Sequence, residues 1–145
     1  MRKVLFVINT LGVGGAEKAL LEMLEFLRDR ELSIDLYVLL GRGELMGRVP
    51  AHVRLLNRRR DCGSVLDKAG RRALAARSAA CFFRYGHWAG KLGAVARSLP
   101  AMVRRGRLQP DKLLWPVIAA GARRPEEPYD AAVAWVEGGS AYFVA

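Results

Sequence analysis

Short apolar runs alternate with longer stretches of helical period along this chain. Val4-Leu5-Phe6-Val7-Ile8 is apolar without alternation, as a parallel strand covered on both faces should be. Ala16 to Arg30 carries a helical period, with Leu20, Met23, Leu24 and Leu27 on one stripe and Lys18, Glu22, Glu25 and Asp29 opposite. Ile34 to Leu40 reads as a second strand at βαβ spacing from the first. A short helical turn is expected at Glu44 to Arg48, ended by Pro50, and a short third strand at Val53 to Leu56. Beyond Arg58-Arg59-Arg60 the pattern turns helical. Val65, Leu66, Ala69, Ala73, Ala76, Ala80 and Phe83 fall on one arc, which predicts a helix over 64–85 with that arc inward. A second helical segment is expected at Trp88 to Val103, kinked or split at Pro100. A third apolar segment, Leu113 to Ala122, predicts a helix starting near Pro116. Ala131 to Val136 reads as the last strand. The apolar Ala141 to Ala145 reads as the start of a helix, so the chain is expected to stop inside its fold.

Strand, glycine-rich turn and helix form the opening unit of an α/β nucleotide-handling domain. The turn Gly12-Val13-Gly14-Gly15-Ala16-Glu17 would let backbone N–H groups approach a diphosphate at a helix N-terminus. Its spacing is neither G-x-G-x-x-G nor a P-loop, which disfavours a dinucleotide oxidoreductase and a P-loop NTPase. The plainer reading of the glycines is a tight turn, and of Glu17 an acid that complements the helix dipole. Glu137-Gly138-Gly139-Ser140 follows the last strand, so a parallel sheet would bring it to the same edge as the first loop. That is the edge where such sheets bind ligands. The plainer alternative there is a second βα turn with Ser140 as a helix cap.

Charge adds a third feature. The chain of 145 residues has 52% hydrophobic and 26% charged residues, a globular balance, with a formal net charge of +10. The basicity is local, because Arg42 to Arg124 holds 19 Lys/Arg against 4 Asp/Glu. Such a stretch attracts phosphate on lipid head groups, nucleic acid or a substrate. Nucleic acid is disfavoured, since no recognition-helix, RNP-type or zinc-finger pattern is present. Cys62 and Cys81 match no metal or redox spacing and read as thiols of a reducing compartment. His52 and His87 read as structural or solvated, and no metal site is expected. With no signal peptide and no run of about 18 apolar residues, the expected address is the cytoplasm, with peripheral contact at the inner membrane face.

The stretch KVLFVINTLGVGGAEKALLEML, with the later YDAAVAWVEGGSAYFVA, resembles the N-terminal half of the GT-B glycosyltransferases of family 4, in their lipopolysaccharide and polysaccharide branch. Gly14-Gly15-Ala16-Glu17 matches the family's Gly-Gly-Ala-Glu loop, and Tyr129-Asp130 and Glu137-Gly138 fit its later strand. The likeness covers roughly residues 1–57 and 128–145. It implies an α/β fold, a Rossmann-like parallel sheet flanked by helices that forms the incomplete N-terminal half of a GT-B fold. The basic stretch lies outside the likeness and, read from its own residues, would be a helical insertion at about 58–124; by the resemblance the C-terminal donor-binding domain would be absent. The implied activity is retaining transfer of a sugar from a nucleotide-sugar donor to a glycan or lipid-linked acceptor, without a metal cofactor. Gly12, Gly14 and Gly15 would face the donor phosphates, and Glu17, Glu137, Gly138 and Ser140 would shape the acceptor side of the cleft. No catalytic base is assigned, and the chain alone is expected to lack activity. The rival expectation, from another class, is a non-catalytic module binding an anionic membrane or ligand through its basic helices.

Overall fold

The computed structural model describes residues 2–57, 61–84, 93, 96 and 110–145. The chain is α/β. Strands β1 (Arg2–Ile8), β2 (Leu32–Val38), β3 (Arg54–Leu55) and β4 (Ala131–Ala134) form an all-parallel sheet in the order β3-β2-β1-β4. Helices α1 (Gly15–Phe26), α2 (Lys68–Arg84), α3 (Pro110–Gly121) and α4 (Gly139–Val144) flank it, and a 3-10 helix spans Glu44–Arg48. The result is a partial Rossmann-like sheet.

Strand periodicity of two sorts the core into two layers. Phe6, Ile8, Ile34, Leu36 and Val38 face α1, where Leu20 and Leu24 are fully buried, and the 3-10 helix adds Leu45 and Met46. Leu5, Val7 and Leu39 face the other way, onto Cys81 of α2, Ile118 and Ala119 of α3 and Phe143 of α4. The unbroken apolar run of β1 is therefore buried on both sides.

Several boundaries differ from expectation. Helix α1 ends at Phe26, not Arg30, because the following N–H groups bond three residues back. Arg28 N–H donates to the Glu25 carbonyl and Arg30 N–H to that of Leu27, a tighter winding that closes the helix. On its stripe Met23 remains exposed. Helix α3 starts at Pro110, six residues before Pro116, which lies inside it. Proline is at ease in the first turn, where its missing N–H would have had no helical partner. The last strand stops at Ala134, because Val136 takes φ +68° and leaves the sheet.

The largest correction concerns α2. The arc expected to face inward is mostly outside: Leu66 and Phe83 are exposed, as are Ala69, Ala76 and Ala80. The inner face carries Gly70, Leu74, Arg77 and Cys81 instead. The crossing with α3 explains this. A Cβ on Gly121 would collide with the Cys81 backbone, so the two helices meet main chain to main chain and small residues sit at the contact. The expected helix at Trp88–Val103, the triple arginine at 58–60 and His87 lie outside the described residues.

Candidate functional site at the carboxyl edge of the sheet

The loop after β1 is anchored before its glycines begin. Leu11 is fully buried, donates its N–H to the Arg42 carbonyl (3.1 Å) and accepts from Leu45 N–H (3.0 Å). Gly43, at φ +158°, lies against the Leu11 backbone with no room for a Cβ. Gly12 is also buried. The methyl Cγ2 of Val65 would stand 2.7 Å from a Cβ there, so Gly12 serves packing rather than facing a ligand. The chain then emerges, and Val13, Gly14 and Gly15 are exposed. Gly14 is the N-cap of α1 and has no side chain to cap it. The N–H groups of Gly12 through Glu17 find no acceptor among the described residues. They form a donor-rich turn at the positive end of a twelve-residue helix. Glu17, the third helical residue, lays its carboxylate over Gly14. The acid thus occupies the space an incoming anion would take, as a local counter-charge to the helix end.

The loop after β4 reaches the same edge. Trp135 N–H donates to the Val7 carbonyl (2.8 Å), extending the β1–β4 ladder. The chain then turns inward through the left-handed Val136, and three carbonyls are taken up in succession. Ser140 Oγ donates to the carbonyls of Trp135 (3.3 Å) and Val136 (2.7 Å), and Asn9 Nδ2 donates to that of Glu137 (3.0 Å). Ser140 is fully buried, so its hydroxyl fixes the loop rather than lining a cleft. Gly138, at φ +109°, needs a residue without a Cβ. At Gly139 a Cβ would meet Trp115 Cε3 at 2.6 Å and Leu39 Cδ2 at 2.5 Å. The Glu137 side chain is exposed.

Three residues outside the sequence assignment hold this edge together. Asn9 is the hinge point, giving its Nδ2 to the Glu137 carbonyl and receiving Ser140 N–H on Oδ1 at 2.8 Å. Trp135 sends its indole N–H to the Ala16 carbonyl in the first turn of α1 (2.8 Å). Trp115 of α3 packs against Gly138 and Gly139. A polar residue placed directly after a buried strand was the one available signal for Asn9. Nothing local marks the tryptophans.

Beside the glycine loop, Asp61 collects Arg42 (2.9 Å) and Arg77, and burial, which pushes its carboxyl up, is outweighed by the Gly63 N–H and the two guanidinium groups, which hold it below the usual range. Two arginines of the basic stretch are thereby committed to structure. So is Arg54, described below. Among the described residues no group of three or more His, Cys, Asp or Glu could hold a metal ion. Cys62 and Cys81 are free thiols, one exposed and one buried. No helix among the described residues is long and apolar enough to cross a membrane.

The carboxyl edge therefore presents unspent backbone donors from the loop after β1, braced through Asn9 against a second loop whose carbonyls are turned inward. No family model matches this chain, and no curated protein or solved structure is significantly similar to it.

Proposed function

We propose that this chain is the acceptor-side domain of a retaining glycosyltransferase of the GT-B, family 4 kind. It would serve transfer from a nucleotide sugar to a glycan or lipid-linked acceptor. The observation that supports this reading is the bracing by Asn9, which joins the two loops carrying the family-like residues into one wall at the ligand-binding edge of a parallel sheet. Gly14 and Gly15 supply exposed backbone for the donor diphosphate, and Glu17 swings off Gly14 when the anion arrives. Glu137 stands at the exposed rim on the acceptor side. The resemblance assigns most of the donor grip to a second α/β domain, so this chain alone binds donor weakly and transfers nothing.

Gly15 offers a clean test. A Cβ there meets nothing within 4 Å, and its φ is not left-handed, so Gly15→Ala leaves the fold unchanged. Titration of UDP-, GDP- and ADP-sugars, followed by amide chemical shifts, is expected to show one donor shifting the loops at 12–17 and 136–140. Gly15→Ala should weaken that binding about tenfold, or 1.4 kcal/mol. Equal binding by the variant, no donor binding at all, or turnover by the chain alone would overturn the reading.

One observation favours the membrane reading beside it. Lys68, Arg71, Arg72 and Arg84 of α2 are exposed and make no ion pair among the described residues. Each basic group near an anionic leaflet contributes about 1 kcal/mol. Sedimentation with anionic vesicles should then fall as salt rises. Salt-independent sedimentation, or none, counts against that attachment.

A further inference from the structure

We propose that the hollow beneath the connection from α3 to β4 is a second ligand site, remote from the glycine loop, for a phosphomonoester carrying a short alkyl chain. The hollow lies on the face of the sheet opposite α1. It has a volume of about 290 Å³ and is lined by Tyr37, Arg54, Leu56, Tyr129 and the connection itself, Arg123 to Glu127. A second hollow of about 170 Å³ adjoins it across Arg124, Pro125 and Tyr129, and is otherwise apolar: Leu5, Ala132, Phe143 and Val144. Together they reach the size of small-molecule sites, roughly 300–1,000 Å³. The combination of a polar chamber and an apolar one suits a ligand with a polar head and an apolar tail.

The state of the charges selects the head group. Arg54 is fully committed, since its guanidinium is held by Asp35 (2.9 and 2.5 Å) and by Glu127 (3.1 and 2.9 Å). Glu127 is committed in turn to Arg54 and Lys3. Asp35 is buried and also accepts from the Tyr129 hydroxyl at 2.6 Å. This network forms a charge-balanced floor. Arg123 and Arg124 at the mouth are different. Among the described residues the Arg123 side chain pairs with Glu126 alone, at 3.4 Å with both side chains exposed, and Arg124 rests on the Phe143 ring with its carbon centre 5.4 Å from the centroid. Two neighbouring guanidinium groups with little to lose are a fit for phosphate, whose oxygens take paired N–H donors. Arg124 lines both chambers, so a phosphate held there sends its chain toward Ala132 and Phe143.

The experiment is calorimetric titration of the whole chain with n-octyl phosphate, inorganic phosphate and octanol, with phosphatidylcholine vesicles containing phosphatidic acid as a fourth arm. Octyl phosphate is expected to bind about tenfold or more tighter than either half-ligand. Arg123→Ala with Arg124→Ala should abolish that advantage through the head. Ala132→Leu, an exposed edge-strand position, should abolish it by filling the apolar chamber. Vesicle binding that octyl phosphate displaces identifies a membrane lipid as the source of the head group; its absence identifies a free amphiphile. Octyl phosphate binding no tighter than inorganic phosphate, or unchanged in both variants with intact thermal unfolding, overturns the site. Gly15→Ala leaves this binding untouched, so the two sites fail or stand separately.

Discussion

At the scale of single residues, the carboxyl edge is shaped by where backbone is forced and where it is free. Val136 is the forced case. A β-branched residue at φ +68° costs about 1–3 kcal/mol, and its side chain is 43% exposed, so little burial offsets the strain. The position is held because Ser140, Asn9 and Trp135 tie down its neighbours. Val136→Gly is expected to raise stability by about 1 kcal/mol in urea unfolding, the relief exceeding the entropy that glycine adds to the unfolded chain. A loss of stability would show that the Val136 side chain contributes packing that outweighs its strain. The glycines separate by the same logic: Gly12 is filled by Val65, Gly138 is required by its φ, and Gly15 is open. Identical letters in the sequence thus stand for a packing contact, a conformational need and an accessible main chain.

At the scale of elements, the crossing of α2 and α3 is set by Gly121 and Cys81. Gly121→Ala forces the helices apart and should cost about 1–3 kcal/mol, read as a lower midpoint of denaturation at unchanged slope. The inward face of α2 has the same origin. Alanines on an arc look like a core stripe, but alanine buries little area on either side of a helix. The face that goes inward was decided by which side could approach α3 most closely. For α1, with leucines on a single stripe, periodicity and burial agree at Leu20 and Leu24 because each leucine is worth about 2 kcal/mol inside.

At the scale of the whole molecule, the floor network ties β1, β2, β3 and the approach to β4 through Lys3, Asp35, Arg54, Glu127 and Tyr129. Burial, which pushes the Asp35 carboxyl up, is overcome by its hydrogen bonds from Arg54 and Tyr129, so it is held below the usual carboxylate range. Burial and the bond to Asp35 push the Tyr129 hydroxyl up to about 12. A depressed native carboxyl contributes stability that is fully present above its unfolded value, about 3.9, and is lost as pH falls through the native value. The acid limb of a stability-versus-pH curve should therefore be shallower in Asp35→Asn. The two partners are unequal. Arg54→Leu removes the main charge partner of a buried carboxylate, which keeps the Tyr129 hydroxyl and a longer contact to Lys3, and should cost about 2 kcal/mol. Asp35→Asn should cost less, because Arg54 is half exposed and keeps Glu127. Equal losses in chemical denaturation would mean that Asp35 is neutral in the native chain.

The sequence by itself determined the parallel α/β alternation. It also placed β1, β2, the 3-10 turn, the glycine loop and the common edge of the two loops, because each follows from local apolar period or from the connectivity of parallel strands. It did not determine the partners. Asn9, Trp115 and Trp135 act across separations of 23 to 131 residues. Asp35 sits within an apolar strand whose ion partner is on another strand. The inward face of α2 depends on a helix that follows much later. Those features rest on contacts between segments distant in sequence, which no local periodicity encodes, and the tertiary structure alone decided them.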